Sequence, residues 1–295
     1  MNGNGSAPQA TSTPGAVTPL GGGQLYGTRP TIQGIASVDA RSNDAPIVLV
    51  VAKEKFGKSH LATTLFGWPT QNHQPLIIAW DKTGPDSCIR SGYSPHAIYP
   101  HKMTGANHVQ RGRAVLQLLE QNVTAIKQQY GAIVVDCLST FSYGLLEEAR
   151  RFSKNPDPRS YYADMQSFGT EFLNRISDLG LPTVWLAWLE EAEIVETSTA
   201  SGSKNRKVIM GGPNVPGKKW RSWVGGRPHQ IILLDKERHG AGAEGADEEG
   251  YVRIFHTRPF DNVNVNGRYG HVIPEPCPPS LAYIMAAITG KGFGR

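Results

Sequence analysis

Four short, largely apolar runs, separated by segments of helical periodicity, restrict this chain more than any other feature. They are Ile47-Val48-Leu49-Val50-Val51, Leu76-Ile77-Ile78-Ala79-Trp80, Ala132-Ile133-Val134-Val135-Asp136 and Leu181-Pro182-Thr183-Val184-Trp185-Leu186-Ala187. Runs without polar alternation belong to strands covered on both faces, the usual setting of parallel sheets. Between them, residues 59–66 read as a helix closed by Gly67 and Pro69. Residues 109–129 read as one helix with Val115, Leu119, Val123 and Ile126 on a single face, and Gly131 leads into the third strand. Met165, Phe168, Phe172, Ile176 and Leu179 repeat at helical spacing before the fourth strand. Such alternation predicts an α/β fold, a mainly parallel central sheet flanked by helices.

Beyond Glu190 the pattern changes. Residues 231–234 and 251–255 read as two strands joined by an acidic, glycine-rich tip over 240–250, an antiparallel hairpin at the sheet's edge. Residues 281–289 predict a short terminal helix, and no internal repeat is found. Residues 1–44 are rich in Gly, Ser, Thr, Pro, Ala and Asn. A segment with so few large apolar groups does not offset its ordering entropy, so a disordered tail precedes a domain over 45–295. Within the tail, Leu25, Tyr26 and Ile32 are the residues able to dock.

Bulk properties narrow the setting. A chain of 295 residues can bury one large core, and a net charge of +5 with an isoelectric point near 9.1 suits an anionic partner without requiring one. Cys88, Cys137 and Cys277 lie far apart, so neither a disulfide framework nor a zinc site is indicated, and a reducing cytoplasm is the expected location. No apolar run approaches ~20 residues and no leader is apparent, so no membrane partner is expected.

The chemistry is expected to begin after the first strand. Ala52-Lys53-Glu54-Lys55-Phe56-Gly57-Lys58-Ser59 matches the phosphate-binding pattern G-x-x-x-x-G-K-[ST] except at its first position. In such a loop, backbone N–H groups wrap the phosphates, a lysine reaches the terminal phosphates and a hydroxyl binds magnesium. Gly57 would allow close approach, Lys58 would carry the charge, Ser59 would be the hydroxyl, and the cofactor contacts would run from Ala52 to His60. Ala52 can replace glycine only where φ is negative. An ordinary strand–turn–helix with exposed lysines is the bland alternative. Asp136, at the end of a buried strand with Ser139 and Thr140 just beyond, supplies the second element, an acid that would hold Mg2+ with Ser59. Asp136 as a plain turn or helix-capping residue is the alternative there.

GKS after the first strand, an acid after the second, VVDCLS on the third, a helix ending DLGLP and a fourth strand running into LAWLEE together resemble the RecA-like P-loop NTPase core. The chain resembles in particular phage-encoded RecA-like ATPases of the AAA-type ATP-binding or single-strand annealing group. The later pieces are Pro216-Gly217-Lys218-Lys219, Gln230 to Asp235, and Asn266-Gly267-Arg268-Tyr269-Gly270, so the likeness spans about residues 46 to 290. It departs from the family at Ala52, at Trp188 where a polar sensor is usual, and at Asn266 where a lysine is usual. The resemblance implies ATP and Mg2+ as cofactors, turnover slowed by these departures, and residence in the host cytoplasm if the chain is phage-encoded. It implies that the acid after the second strand, Asp81, orients the attacking water, with Glu190 in reserve. Either acid could instead be a turn carboxylate paired with Lys82 or another base. It also implies that Arg268 acts on a neighbouring subunit's nucleotide, in a ring or a filament, unless it merely forms a surface salt bridge.

A nucleic-acid face is expected between Ser201 and Arg227. Lys204, Arg206, Lys207, Lys218, Lys219, Arg221 and Arg227 lie in a span without acids, interleaved with Trp220 and Trp223. Single-strand sites combine backbone-neutralising charge with aromatic platforms worth ~1–3 kcal/mol per base. The plain reading is a solvated basic loop with both tryptophans anchored in the core. The leading function is therefore an oligomeric ATPase, dependent on single-stranded DNA, that anneals or exchanges strands, with a single-strand DNA-binding protein as a further partner. A nucleotide-regulated adaptor with little turnover is the alternative. A dimeric switch with a deviant loop signature at Lys53 ranks last, because Glu54 and Lys55 replace that signature's glycines.

Overall fold

The computed structural model describes residues 45–153, 157–198, 204–240, 251–265 and 267–290, with backbone alone for 194–198 and 204–209. The expectations for the tail over 1–44, the hairpin tip over 241–250 and Asn266 lie outside these residues.

The four apolar runs all form strands. β1 (Ile47–Ala52) is buried along its whole length, and a 3-10 segment (Ser59–Leu65) leads to β2 (Gln74–Ala79). Then come α1 (Gly84–Arg90), β3 (His96–Ile98), α2 (His108–Gln121), α3 (Val123–Gln129) and β4 (Tyr130–Asp136). α4 (Leu138–Phe152) and α5 (Pro158–Ser177) precede β5 (Thr183–Glu190). After it run β6 (Glu193–Ser198), β7 (Lys204–Ile209), β8 (Gly212–Pro213), α6 (Lys218–Gly226), β9 (Gln230–Arg238), β10 (Tyr251–His256) and α7 (Leu281–Thr289).

The main sheet has the order β10-β9-β1-β5-β4-β2-β3, and β8 adds to the end of β5. All pairs along that path are parallel except β10 on β9, which forms the antiparallel edge read from the sequence. β6 and β7 form a separate antiparallel pair. The fold is thus α/β, a mainly parallel central sheet with helices on both faces and an antiparallel edge pair. β5 lies between β1 and β4, the strands that lead to the loop over residues 53–58 and to Asp136.

Strand periodicity divides the core. Leu49, Val51, Ile78, Val135 and Trp185 face Phe141, Phe172 and Trp220 of α4, α5 and α6. Val48, Val50, Ile77, Val134 and Leu186 face the other way, against Leu61, Leu65, Trp68, Leu281 and Met285. Each β1 residue packs on one of two covered faces, which explains its unbroken apolar run.

Two expected helices differ in form. Residues 59–65 wind as a 3-10 helix because the Thr63 and Thr64 hydroxyls donate to the His60 and Leu61 carbonyls three residues back, favouring the tighter turn. The expected helix over 109–129 breaks at Asn122, whose side-chain amide takes the Leu118 carbonyl at 2.8 Å. The basic stretch from Lys218 is a helix rather than a loop.

Candidate functional site

The loop over residues 53–58 occupies the carboxyl end of β1, where the parallel strands β5, β4 and β2 also end. Ala52 is the last residue of β1, paired with Trp188, fully buried and outside the left-handed region. Its methyl is therefore tolerated, and the missing glycine distorts nothing at that position. The left-handed positions of the loop are Lys55 (φ 66°) and Gly57 (φ 90°). Gly57 suits such a conformation, whereas Lys55 holds it at a cost of about 1–2 kcal/mol.

Lys58 is 7% exposed, and its ammonium donates to the carbonyls of Ala52 and Lys53 at 3.1 and 2.8 Å. Burial lowers its pKa, while Cys137, Asp136, Glu54 and Asp81 oppose that shift. The remaining cations of the loop differ. Lys53 reaches sideways to Glu191 at 2.6 Å, and Lys55 is exposed. His60 shares a 3.0 Å hydrogen bond with the Ser91 hydroxyl.

Opposite Lys58 lies Asp136, 3% exposed, with its carboxyl pKa pushed up to about 6 by burial. A hydrogen bond from the Ser59 hydroxyl and the charge of Lys58 pull it back, and Asp81 pushes it further up. The Asp136 carbonyl accepts from the backbone N–H groups of Trp80 (2.6 Å) and Asp81 (3.1 Å), which fixes the end of β2 against the end of β4. Asp81 accepts from the backbone and hydroxyl of Thr83 at 3.0 and 2.9 Å, turning the chain into α1. Lys58, Ser59, Asp81 and Asp136 therefore converge at one point.

Two residues that sequence reading missed complete the point. A Cβ on Gly84 would lie 2.3 Å from Asp136 Oδ2 and 3.6 Å from Ser59 Oγ, so only glycine lets the start of α1 approach this carboxylate so closely. Arg253 of β10 donates through Nε to the Phe56 carbonyl at 3.1 Å and lies against Gly57. The signals were faint: a Gly-Pro pair just after Asp81, and one cation within an otherwise apolar strand. The Ser59 hydroxyl and the Asp136 carboxyl beside it supply the oxygen donors that a small hard cation such as Mg2+ prefers.

The other expected site residues lie elsewhere. Glu190 pairs with Arg221 beside a cleft of about 530 Å3 lined by Tyr143, Glu147, Arg150, Tyr162 and Asn214. It is thus engaged by a cation, whereas Asp81 acts on both Lys58 and Asp136. Arg268 is exposed, forms no ion pair among the described residues, and has its backbone N–H on the His229 carbonyl at the start of β9. β9 begins level with Val48, four residues before Ala52, about 13 Å along the strand. Arg268 is therefore rooted at the opposite end of the sheet from its own loop.

The basic span is divided. Lys204, Arg206 and Lys207 lie on β7, where Arg206 stands opposite Glu196 and Lys207 opposite Val195. Trp220 is 1% exposed and its indole N–H donates to Ser142 at 3.0 Å. Trp223 stacks on Trp220 and Trp185 at centroid distances of 5.1 and 6.1 Å. The expected aromatic platform is thus corrected: the apolar face of α6 turns both tryptophans toward the core. Lys218, Lys219 and Arg227 are exposed.

No protein-family model matches the chain, and no curated protein does. Among solved structures the chain is similar to a KaiC-like protein of the hyperthermophilic archaeon Pyrococcus horikoshii. The identity is 9% and the TM-score 0.40, over 73% of this chain and 80% of that one. A likeness of that size assigns no family. The fold reading stands on the strand order and on the placement of the loop.

Proposed function

We propose that this chain binds ATP with Mg2+ at the carboxyl end of its central sheet and hydrolyses it. The observation that carries this reading is the convergence of Lys58, Ser59, Asp81 and Asp136 from three different strand ends. Lys58 would exchange its two loop carbonyls for the terminal phosphates, and the loop N–H groups would hold the phosphate chain. Ser59 and Asp136 would hold Mg2+, which neutralises charge on the terminal phosphates. Asp81, held by Thr83, would accept a hydrogen bond from the attacking water and orient it. Arg268 cannot serve its own loop from the far end of the sheet, so its use would be in a neighbouring subunit, consistent with a homo-oligomer.

The finer reading is an ATPase stimulated by single-stranded DNA, acting in phage recombination or strand annealing. It is supported by the sequence resemblance and by the exposed cations Lys218, Lys219 and Arg227. ATP turnover with and without a single-stranded oligonucleotide tests both levels. Stimulation by the oligonucleotide, lost in Lys58→Ala, supports the whole reading. Turnover without stimulation leaves a DNA-independent ATPase, and tight ATP binding without turnover leaves a nucleotide-regulated adaptor. Failure to bind ATP at millimolar concentration removes the nucleotide site.

A further inference from the structure

β10 is an edge strand, and its Arg253 lies directly opposite Lys236 of β9. Directly opposed residues of an antiparallel pair share a face, and like charges in that relation destabilise it. Both cations nevertheless converge on the phosphate loop. The Lys236 ammonium lies 5.7 Å from the centre of the Phe56 ring, and the Arg253 guanidinium bonds the Phe56 carbonyl. Two of its guanidinium nitrogens lie 3.0 and 3.5 Å from where a Cβ on Gly57 would sit. Burial and, after it, the charge of Arg253 lower the pKa of nearby His60. Among the described residues no carboxylate forms an ion pair with Arg253. One guanidinium N–H serves the loop carbonyl, and an arginine carries five donors.

Arg253 thus reaches the loop from β10 and lies against Gly57, one residue before Lys58. The donors that Arg253 does not spend on Phe56 lie beside Gly57, where they suit an anion held in the loop. Resting on the nucleotide reading above, we propose that Arg253 binds the phosphate chain of the nucleotide held by its own subunit, reaching over the loop from the edge of the sheet. The guanidinium would keep its hydrogen bond to Phe56 while its remaining donors meet phosphate oxygens, a geometry to which its planar fork is suited. The edge hairpin then becomes part of the nucleotide site.

The test measures ATP affinity in the presence of Mg2+ for the full chain, Arg253→Gln and Arg253→Lys, over a range of KCl concentrations. Loss of a charge-assisted contact is expected to weaken ATP binding by about tenfold in Arg253→Gln. The dependence of log Kd on log salt should become shallower in the same variant, while Arg253→Lys keeps the slope of the unaltered chain. Unchanged affinity in Arg253→Gln overturns the proposal. So does weaker affinity with an unchanged salt slope, which marks a strap that only shapes the loop. If the unaltered, folded chain fails to bind ATP, the nucleotide reading falls and this inference with it. If that chain binds and Arg253→Gln binds equally well, the inference alone falls.

Discussion

Charge gathers in two stretches of this molecule, the loop from Lys53 to Ser59 and the span from Lys204 to Arg227, and they fold to opposite effect. In the loop, charged groups from separate elements meet: Lys58 after β1, Asp136 at the end of β4, Asp81 after β2 and Arg253 of β10. In the span, the charges separate. Some lie on β7, Arg221 is taken by Glu190, and the two tryptophans expected to stack on bases pack inward from α6. A phosphate loop demands backbone conformations at consecutive residues, so its letters carry geometry. A basic and aromatic composition carries none, because a helix gathers residues three or four apart on one face and turns those between them away from it.

The comparison breaks most readily on activity. Lys58→Ala should lower ATP turnover by about two orders of magnitude, as removal of an aimed charge commonly does. Lys218→Ala/Lys219→Ala should leave basal turnover unchanged in the same assay. A comparable loss in the double variant would mean that the helix, too, belongs to the catalytic site.

Stability gives the next contrast. Trp220→Ala should cost about 3–5 kcal/mol in urea unfolding, the usual penalty for emptying a large buried aromatic site. A stability within ~0.5 kcal/mol of the unaltered chain, the range of ordinary surface changes, would return Trp220 to the surface as a platform.

Asp136→Asn sharpens the electrostatic side. In the metal-free protein the folded-state pKa of Asp136 is about 6, above its usual value of 3.8. The folded state therefore holds that proton more tightly, and stability falls as pH rises from about 4 to about 6. Removing this burden should stabilise Asp136→Asn by up to roughly 3 kcal/mol at pH 8, with the advantage vanishing near pH 4. Thermal unfolding across that pH range without Mg2+ checks the sign. A variant less stable at pH 8 than at pH 4, relative to the unaltered chain, contradicts it.

The smallest effects separate two neighbouring loop positions. Lys55→Gly relieves a left-handed lysine and should stabilise by about 1 kcal/mol. Ala52→Gly meets no such strain, loosens a buried strand end, and should cost roughly 0.5–1 kcal/mol without raising turnover. Denaturant midpoints and initial rates on both variants decide between them.

Much of the fold could be read because burial on both faces forces unbroken apolar runs, as in β1 and β4. The break at Asn122 and the 3-10 winding at Thr63 and Thr64 were missed, because each depends on one local side-chain-to-carbonyl bond that helical periodicity does not register. Of the candidate site, the convergence of Lys58, Ser59, Asp81 and Asp136 was legible, since each lies at or just beyond the end of a recognisable strand. Gly84 and Arg253 were not, because their roles arise from approach across the fold rather than from neighbours in the chain. Ala52 looked like the defect of the loop. The positive φ belongs instead to Lys55, which only backbone geometry reveals.

The central claim is that Lys58, Ser59, Asp81 and Asp136 form one Mg2+-dependent ATP site. Calorimetric titration of ATP into the unaltered chain and Asp136→Asn, each with and without Mg2+, tests it most directly. Mg2+ should tighten ATP binding by at least about tenfold in the unaltered chain and have little effect in Asp136→Asn. The same Mg2+ enhancement in both proteins, or no ATP binding by either, would contradict it.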